Sequence, residues 1–383
     1  GGIYSDGLFY PFLFYYGGIF LYRDILYYKI EVIYDFIILG GGLAGTILSD
    51  FLSKSASVLV IDSEAGQYGS KVAAGIYNPV TGRRMVKSWM VDTLAPFARN
   101  YYSEKEAFLE RSFVQPINIK RLFHNQQQRD EWLRKVDFYG IEHIIKGEIV
   151  PDSSDLRLVR DYGGVATKGS WRLNTRVFLE GMHLYLTGEK TLEKELVSYD
   201  SIVHEKDMVR VGTHMAKRLI FCQGWQMFRN PWFQHLTLVP NKGELLTIEA
   251  PELNEEDLLQ KGMFVLPLGS DQYKVGATYN KEQIDYEPTD AAKLWLLERL
   301  DRTIKVPYRI LEHEAGVRPT SKDRRPMLGR HPEMDNFFVF NGFGSKGVSQ
   351  IPWCAQQMSN HLINNTPLHA DIDIQRFSKD FIQ

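Results

Sequence analysis

The stretch Val32-Ile33-Tyr34-Asp35-Phe36-Ile37-Ile38-Leu39-Gly40-Gly41-Gly42-Leu43-Ala44-Gly45 decides the fold. Its first half is apolar and rich in β-branched residues apart from Asp35, the pattern of a strand buried on both faces of a parallel sheet. Gly40, Gly42 and Gly45 then have the spacing G-x-G-x-x-G, and Leu43, Ala44, Ile47, Leu48 and Phe51 recur at helical intervals directly after them. In a strand-turn-helix of this kind the first glycine makes the tight turn and the second lets backbone approach a diphosphate. The third lets the helix sit close to the strand. The unpaired N–H groups of the first helical turn then face the anion.

The next segments extend that reading. A second strand, Ser57 to Ile61, ends at Asp62, a carboxylate placed to accept from ribose hydroxyls, which favours FAD or NAD over a 2′-phosphorylated dinucleotide. Directly after it, Gly69-Ser70-Lys71-Val72-Ala73-Ala74-Gly75-Ile76-Tyr77-Asn78-Pro79 is a run of small residues, with Ser70, Ala74 and Gly75 suited to close backbone contact with an extended ligand. A plain surface loop is the alternative.

Composition narrows the class. The chain has 383 residues, a net charge of −2, 44% hydrophobic and 24% charged residues, which is ordinary globular content for about two domains. The balanced charge gives no reason to expect a nucleic-acid partner. The two cysteines, Cys222 and Cys354, cannot form a disulfide framework, and no CxxC or HExxH spacing offers a metal site. A reducing compartment, the cytoplasm, is expected. Residues 1–30 are crowded with Tyr and Phe but interrupted by Pro11, Gly17, Gly18, Arg23 and Asp24. They match neither a secretory leader nor a spanning helix. Two readings stand: a non-native, mis-started extension, or an interfacial anchor, in which case membrane contact is made there.

Late in the chain come Cys222-Gln223-Gly224-Trp225 after an apolar strand (Ala216 to Phe221), Pro240-Asn241-Lys242-Gly243-Glu244, and the block Gly316-Val317-Arg318-Pro319 to Pro326-Met327-Leu328-Gly329. A strand at Phe337 to Phe340 follows. It opens into Asn341-Gly342-Phe343-Gly344-Ser345-Lys346-Gly347 and a helical pattern from Val348 to about Ile363. With these motifs in order, the sequence from about Tyr34 to Asn364 resembles the D-amino-acid oxidase family of FAD-dependent oxidoreductases, the group that contains glycine oxidase, sarcosine oxidase and D-amino-acid dehydrogenase.

The resemblance implies an α/β fold: a discontinuous Rossmann-like FAD-binding domain (31–90, 150–225 and 311–370) with an inserted α+β substrate-binding domain (91–149 and 226–310). It implies non-covalent FAD held by Gly40, Gly42, Leu43, Ala44, Gly45, Asp62, Ser70, Ala74, Gly75, Gly224, Gly342, Gly344, Ser345, Lys346, Gly347 and Val348. It also implies that Arg318 holds a substrate carboxylate and that Lys346 places positive charge near the reduced ring. Without the resemblance, Arg318 reads as a surface ion pair and Lys346 as a solvated loop lysine. The implied activity is oxidation of the C–N bond of an amino acid or secondary amine by hydride transfer to flavin N5, giving an imine that hydrolyses, with oxygen or a quinone as electron acceptor. The alternative is an FAD-dependent enzyme that modifies the carboxymethylaminomethyl group of a tRNA wobble uridine. In that case Arg83, Arg84, Lys87, Lys322, Arg324, Arg325 and Arg330 are candidates to meet phosphates. Tyr77, Trp225, Phe264, Tyr273 and Phe343 are candidates to line the cavity or, more ordinarily, to pack the core.

Overall fold

The computed structural model describes residues 32–381 except 64–68, 82–85, 140–141 and 206. The aromatic segment 1–30, Arg83, Arg84 and the side chain of Lys87 lie outside the described residues.

The first strand, Ile33–Leu39, apolar apart from Asp35, is the middle of a parallel sheet. It pairs on one side with Val58–Asp62 and on the other with His214–Phe221, which in turn pairs with Phe337–Asn341. Its lack of alternation has a direct cause. Phe36 and Ile38 face a core shared with Leu43, Ile47 and Leu48 of the helix Leu43–Leu52, with Phe178 and Met182 of the helix Thr175–Gly188, and with Met358 of the helix Gly347–Asn364. Ile37 and Leu39 face a separate core with Leu59, Ile61, Phe221, Phe233 and Phe337. From Phe36 to Leu39 the strand serves two cores and spares no position for a polar residue, while Asp35 sits at its half-exposed start, paired with Lys217 at 2.7 Å. Leu192–Lys194 extends the sheet in parallel, and the hairpin Ile202–His204 with Val209–Val211 adds an antiparallel flank.

A second sheet carries, in order, Arg309–Arg318, Asn241–Glu249, Gln272–Gly276, Phe264–Gly269, Leu258–Gln260, Val114–Leu122, Gly164–Leu173 and Ile76–Tyr77. Its pairs are antiparallel except Leu258–Gln260 with Val114–Leu122. The helix Asp290–Asp301 buries Leu296 and Leu300 against Leu246, Ile248, Val265 and Val275 of this sheet. Thr289 caps that helix, accepting from the Ala292 N–H at 3.3 Å.

Three segments lie elsewhere than sequence reading put them. Gly164–Leu173 and Arg309–Arg318, expected with the dinucleotide-binding segments, are strands of the second sheet. The helix Val91–Leu109, expected with the substrate-binding segments, buries Val91, Leu94, Ala98, Tyr101 and Tyr102 in the core of the first sheet. Strand pairing and helix docking over such separations follow from tertiary fit, which local pattern does not encode.

Candidate active site

A cavity of about 750 Å³ opens where the carboxyl ends of the parallel strands meet the second sheet. Leu39, Gly40, Asp62, Cys222, Gly224 and Asn341 reach it from the strand ends, the usual ligand position in an open α/β sheet.

The turn after the first strand is fixed by close backbone packing. Gly40 has φ +104°, and a Cβ there would sit 2.6 Å from the Cys222 carbonyl oxygen. A Cβ on Gly45 would lie 1.8 Å from the Gly40 carbonyl oxygen, so the helix contacts the turn backbone to backbone. Gly42, Leu43 and Ala44 line the cavity, and the Leu43 N–H donates to Ser70 Oγ at 3.3 Å. Ser70 therefore already faces the helix N-terminus where a diphosphate would be received. The Gly41 carbonyl accepts from Thr46 Oγ1 at 2.9 Å and lies 2.7 Å from His183 Nε2. Neither Thr46 nor His183 stands out in the sequence, since His183 comes from a helix far along the chain. Asp62 is buried at the cavity edge. Burial raises its carboxyl above the ordinary carboxylate range, and the Gly41 N–H partly offsets the rise.

The small-residue run forms the short helix Gly69–Val72 and the strand Ile76–Tyr77. A Cβ on Gly69 would meet the Val317 carbonyl oxygen at 2.6 Å, and one on Gly75, at φ +70°, would meet the Leu173 carbonyl oxygen at 1.8 Å. These contacts seat the run directly on the second sheet. Ser70, Ala73, Ala74 and Gly75 all line the cavity.

From the second sheet come Leu245, Phe264, Ala277 and Arg318. Asn241 pairs with Arg318 across two neighbouring strands, and Arg318 Nη1 donates to Asn241 Oδ1 at 2.7 Å and more weakly to the Thr278 carbonyl at 3.4 Å. The guanidinium lies flat over Gly243, where a Cβ would come within 2.1 Å of Nη2. Burial lowers the pKa of Arg318. Among the described residues no carboxylate pairs with it, so a desolvated cation faces the cavity uncompensated, an arrangement that favours an incoming anion.

The last glycine-rich turn closes the site. Gly344, Ser345, Gly347 and Val348 line the cavity, and the N-terminus of the helix Gly347–Asn364 faces it. Gly45 and Gly342 stand behind the lining, and Gly342 at φ +81° packs on Met327. Lys346 is also off the lining, with Nζ 3.4 Å from Ser88 Oγ. Of the aromatic candidates, Trp225, Phe264 and Phe343 reach the cavity, and Trp225 Nε1 donates to Tyr286 OH at 2.7 Å. Tyr77 stacks on Trp171 at 5.1 Å between ring centroids, and the Tyr273 hydroxyl accepts from the Glu255 N–H at 3.1 Å within the second sheet's core. Cys222 lines the cavity as a free, buried thiol whose pKa burial pushes up.

The sequence matches the family model described as FAD dependent oxidoreductase over residues 35–361. The curated glycine oxidase of Bacillus licheniformis is 24% identical over 87% of this chain and 94% of its own length. A tRNA 5-methylaminomethyl-2-thiouridine biosynthesis bifunctional protein from Legionella pneumophila is 24% identical over 86% of this chain and 54% of its own length. Among solved structures, glycine oxidase from Bacillus cereus superposes with a TM-score of 0.74 at 18% identity, covering 88% of this chain and 96% of that one.

Proposed function

Since the chain belongs to the FAD-dependent oxidoreductase family and is an FAD-binding oxidoreductase, we propose that it oxidises the C–N bond of an amino acid or secondary amine that carries a carboxylate. Bound FAD supplies the two-electron acceptor for the α-carbon hydride. Gly40, Gly42 and the Leu43 N–H are suited to the diphosphate, and Asp62 to the ribose. Ser70, Ala74, Gly75 and Gly224 would accommodate the extended chain, while Gly344, Ser345, Gly347 and Val348 would hold the ring.

The observation that carries the substrate reading is Arg318: half-buried, oriented by Asn241, resting on Gly243 and lacking a carboxylate partner among the described residues. A planar guanidinium held this way offers paired donors to a carboxylate and fixes the amine-bearing carbon. Leu245, Phe264, Ala277 and Phe343 supply an apolar wall that excludes water around the reacting carbon. Water hydrolyses the imine product to a carbonyl compound and an amine or ammonia, and oxygen or a quinone would be the final electron acceptor. Both cysteines are free thiols, which fits a reducing compartment such as the cytoplasm.

The test is anaerobic bleaching of the flavin by a panel of glycine, sarcosine, D-amino acids and larger secondary amines, each beside its decarboxylated counterpart. The reading requires bleaching by carboxylate-bearing amines and little by the counterparts. Equal bleaching by both sets contradicts it. The tRNA-modifying relatives favour a second reading, in which the amine and carboxylate belong to a modified wobble uridine. Bleaching by no free amino acid, together with turnover on such a tRNA, would select it.

A further inference from the structure

Lys346, Arg324 and Arg325 gather beside the segments that line this cavity, and among the described residues no acid neutralises them. The Thr320 to Phe343 bridge and the bond from the Gly344 N–H to the Pro319 carbonyl at 3.0 Å zip the segment after Arg318 to the last glycine-rich turn. Pro319, Gly344 and Ser345 line the cavity; Lys346 directly follows Ser345, and Arg324 and Arg325 come five and six residues after Pro319 on the other side of the zipper. Ser88 and Trp89, adjacent in sequence, then tie the two sides together. Lys346 Nζ lies 3.4 Å from Ser88 Oγ, and the Arg325 guanidinium lies over the Trp89 ring at 4.9 Å from its centroid.

The nearby carboxylates are engaged elsewhere. Asp323 accepts from Arg376 Nε at 2.8 Å and from the Arg325 backbone N–H at 3.0 Å. Asp371 accepts from Trp89 Nε1 at 2.9 Å and so fixes the ring on which Arg325 rests. Burial, then Arg325 and Arg324, lower the pKa of Lys346, as expected of like charges sharing one partly dry corner. Among the described residues none of the three cations has an acidic partner. By contrast, Arg330 is neutralised by Asp335 at 2.7 Å.

We propose that Arg324, Arg325 and Lys346, with Ser88 and Trp89 as their platform, form a binding site for a phosphate ester carried by a substrate that extends beyond the reacting amine. The stacked guanidinium keeps its edge donors free for phosphate oxygens, Lys346 adds a point charge, and the Ser88 hydroxyl supplies a neutral donor. This inference rests on the reading that the substrate amine enters beside Arg318, and it adds a preference for a substrate with an anionic extension.

The test uses the FAD-loaded protein and measures binding without turnover, so its failure is separable from failure of the bleaching assay. A fluorescent single-stranded oligoribonucleotide is titrated by anisotropy, and inorganic phosphate is used to displace it. The wild type binds, with log K falling against log salt at a slope of about −2 for three cations. Arg324→Asn/Arg325→Gln, in which Asn retains the left-handed backbone at φ +60°, loses at least tenfold in affinity and most of that slope while keeping its flavin. Arg330→Gln binds as wild type. Displacement by phosphate identifies a small phosphate ester as sufficient, whereas binding of the oligonucleotide that phosphate does not displace assigns the site to a phosphodiester chain. Absence of oligonucleotide binding by the wild type, or equal binding by the double variant, overturns the proposal.

Discussion

Gly243→Ala separates the proposed substrate anchor, Arg318, from the rest of the fold. The new Cβ would lie 2.1 Å from Arg318 Nη2 and 2.5 Å from Cζ and Nη1, with no backbone atom among its nearest contacts. The clash falls on the far end of a flexible side chain, so the guanidinium swings away and the strands keep their register. What is lost is the 2.7 Å bond to Asn241 and with it the position from which Arg318 faces the cavity. A charge-assisted hydrogen bond to a carboxylate contributes about 1.5 to 3 kcal/mol, which corresponds to a factor of about 10 to 150 in binding. The KM for a carboxylate-bearing amine should therefore rise by about one to two decades in the variant. FAD content and Tm should stay close to wild type. The assay is steady-state kinetics on the best amine from the bleaching panel, supported by perturbation of the flavin absorbance by a carboxylate that lacks the amine. A KM within about twofold of wild type would refute the placement of Arg318, because the substituted methyl group and the present guanidinium cannot occupy the same space.

Other substitutions should behave differently. Gly45→Ala places a Cβ 1.8 Å from the Gly40 carbonyl oxygen, a collision that no rotamer relieves. Thermal denaturation should show a lowered Tm and flavin fluorescence a weakened FAD affinity, and wild-type values for both would contradict the tight strand-to-helix contact. Asp62→Ala should raise the FAD Kd by about 10- to 150-fold, measured by quenching of flavin fluorescence, if its carboxylate accepts from the ribose. For pH, burial and the neighbouring His331 push His235 down to about 4 from an ordinary 6.5. The unfolded chain takes up a proton in that window that the folded chain does not, so stability is full above about 6.5 and falls as pH drops toward about 4. His235→Gln should flatten the dependence of Tm on pH there, and an unchanged slope would exclude His235 as its source.

The dinucleotide-binding half was legible because its signals are local. Continuous apolarity in residues 36–39, three spaced glycines and a terminal Asp62 each reflect a constraint on a few consecutive residues, and the parallel pairing with Val58–Asp62 and His214–Phe221 follows. The placement of Gly164–Leu173 and Arg309–Arg318 in the second sheet was not legible. Their apolar and polar positions fit a strand in either sheet, and only the distant partners Val114–Leu122 and Asn241–Glu249 decide between them. At the site, glycines marked the lining well, but Gly45 and Gly342 serve packing behind it. Lys346 illustrates the limit of a motif: its backbone lies in the expected turn, while its side chain is drawn to Ser88, a residue with no sequence signal of its own. His183 and Tyr286 were invisible for the same reason, since each acts only through contacts with residues far away in the chain.

Titration of flavin-free protein with FAD tests the central claim most directly. If the turns at Gly40 to Gly45 and Gly342 to Gly347 flank one cavity that takes a single extended cofactor, the protein binds one FAD per chain and quenches its fluorescence. FMN, which lacks the adenylate that Asp62 is proposed to meet, binds far more weakly. A protein that stays colourless after exposure to FAD, or that holds FMN as tightly as FAD, would contradict the account.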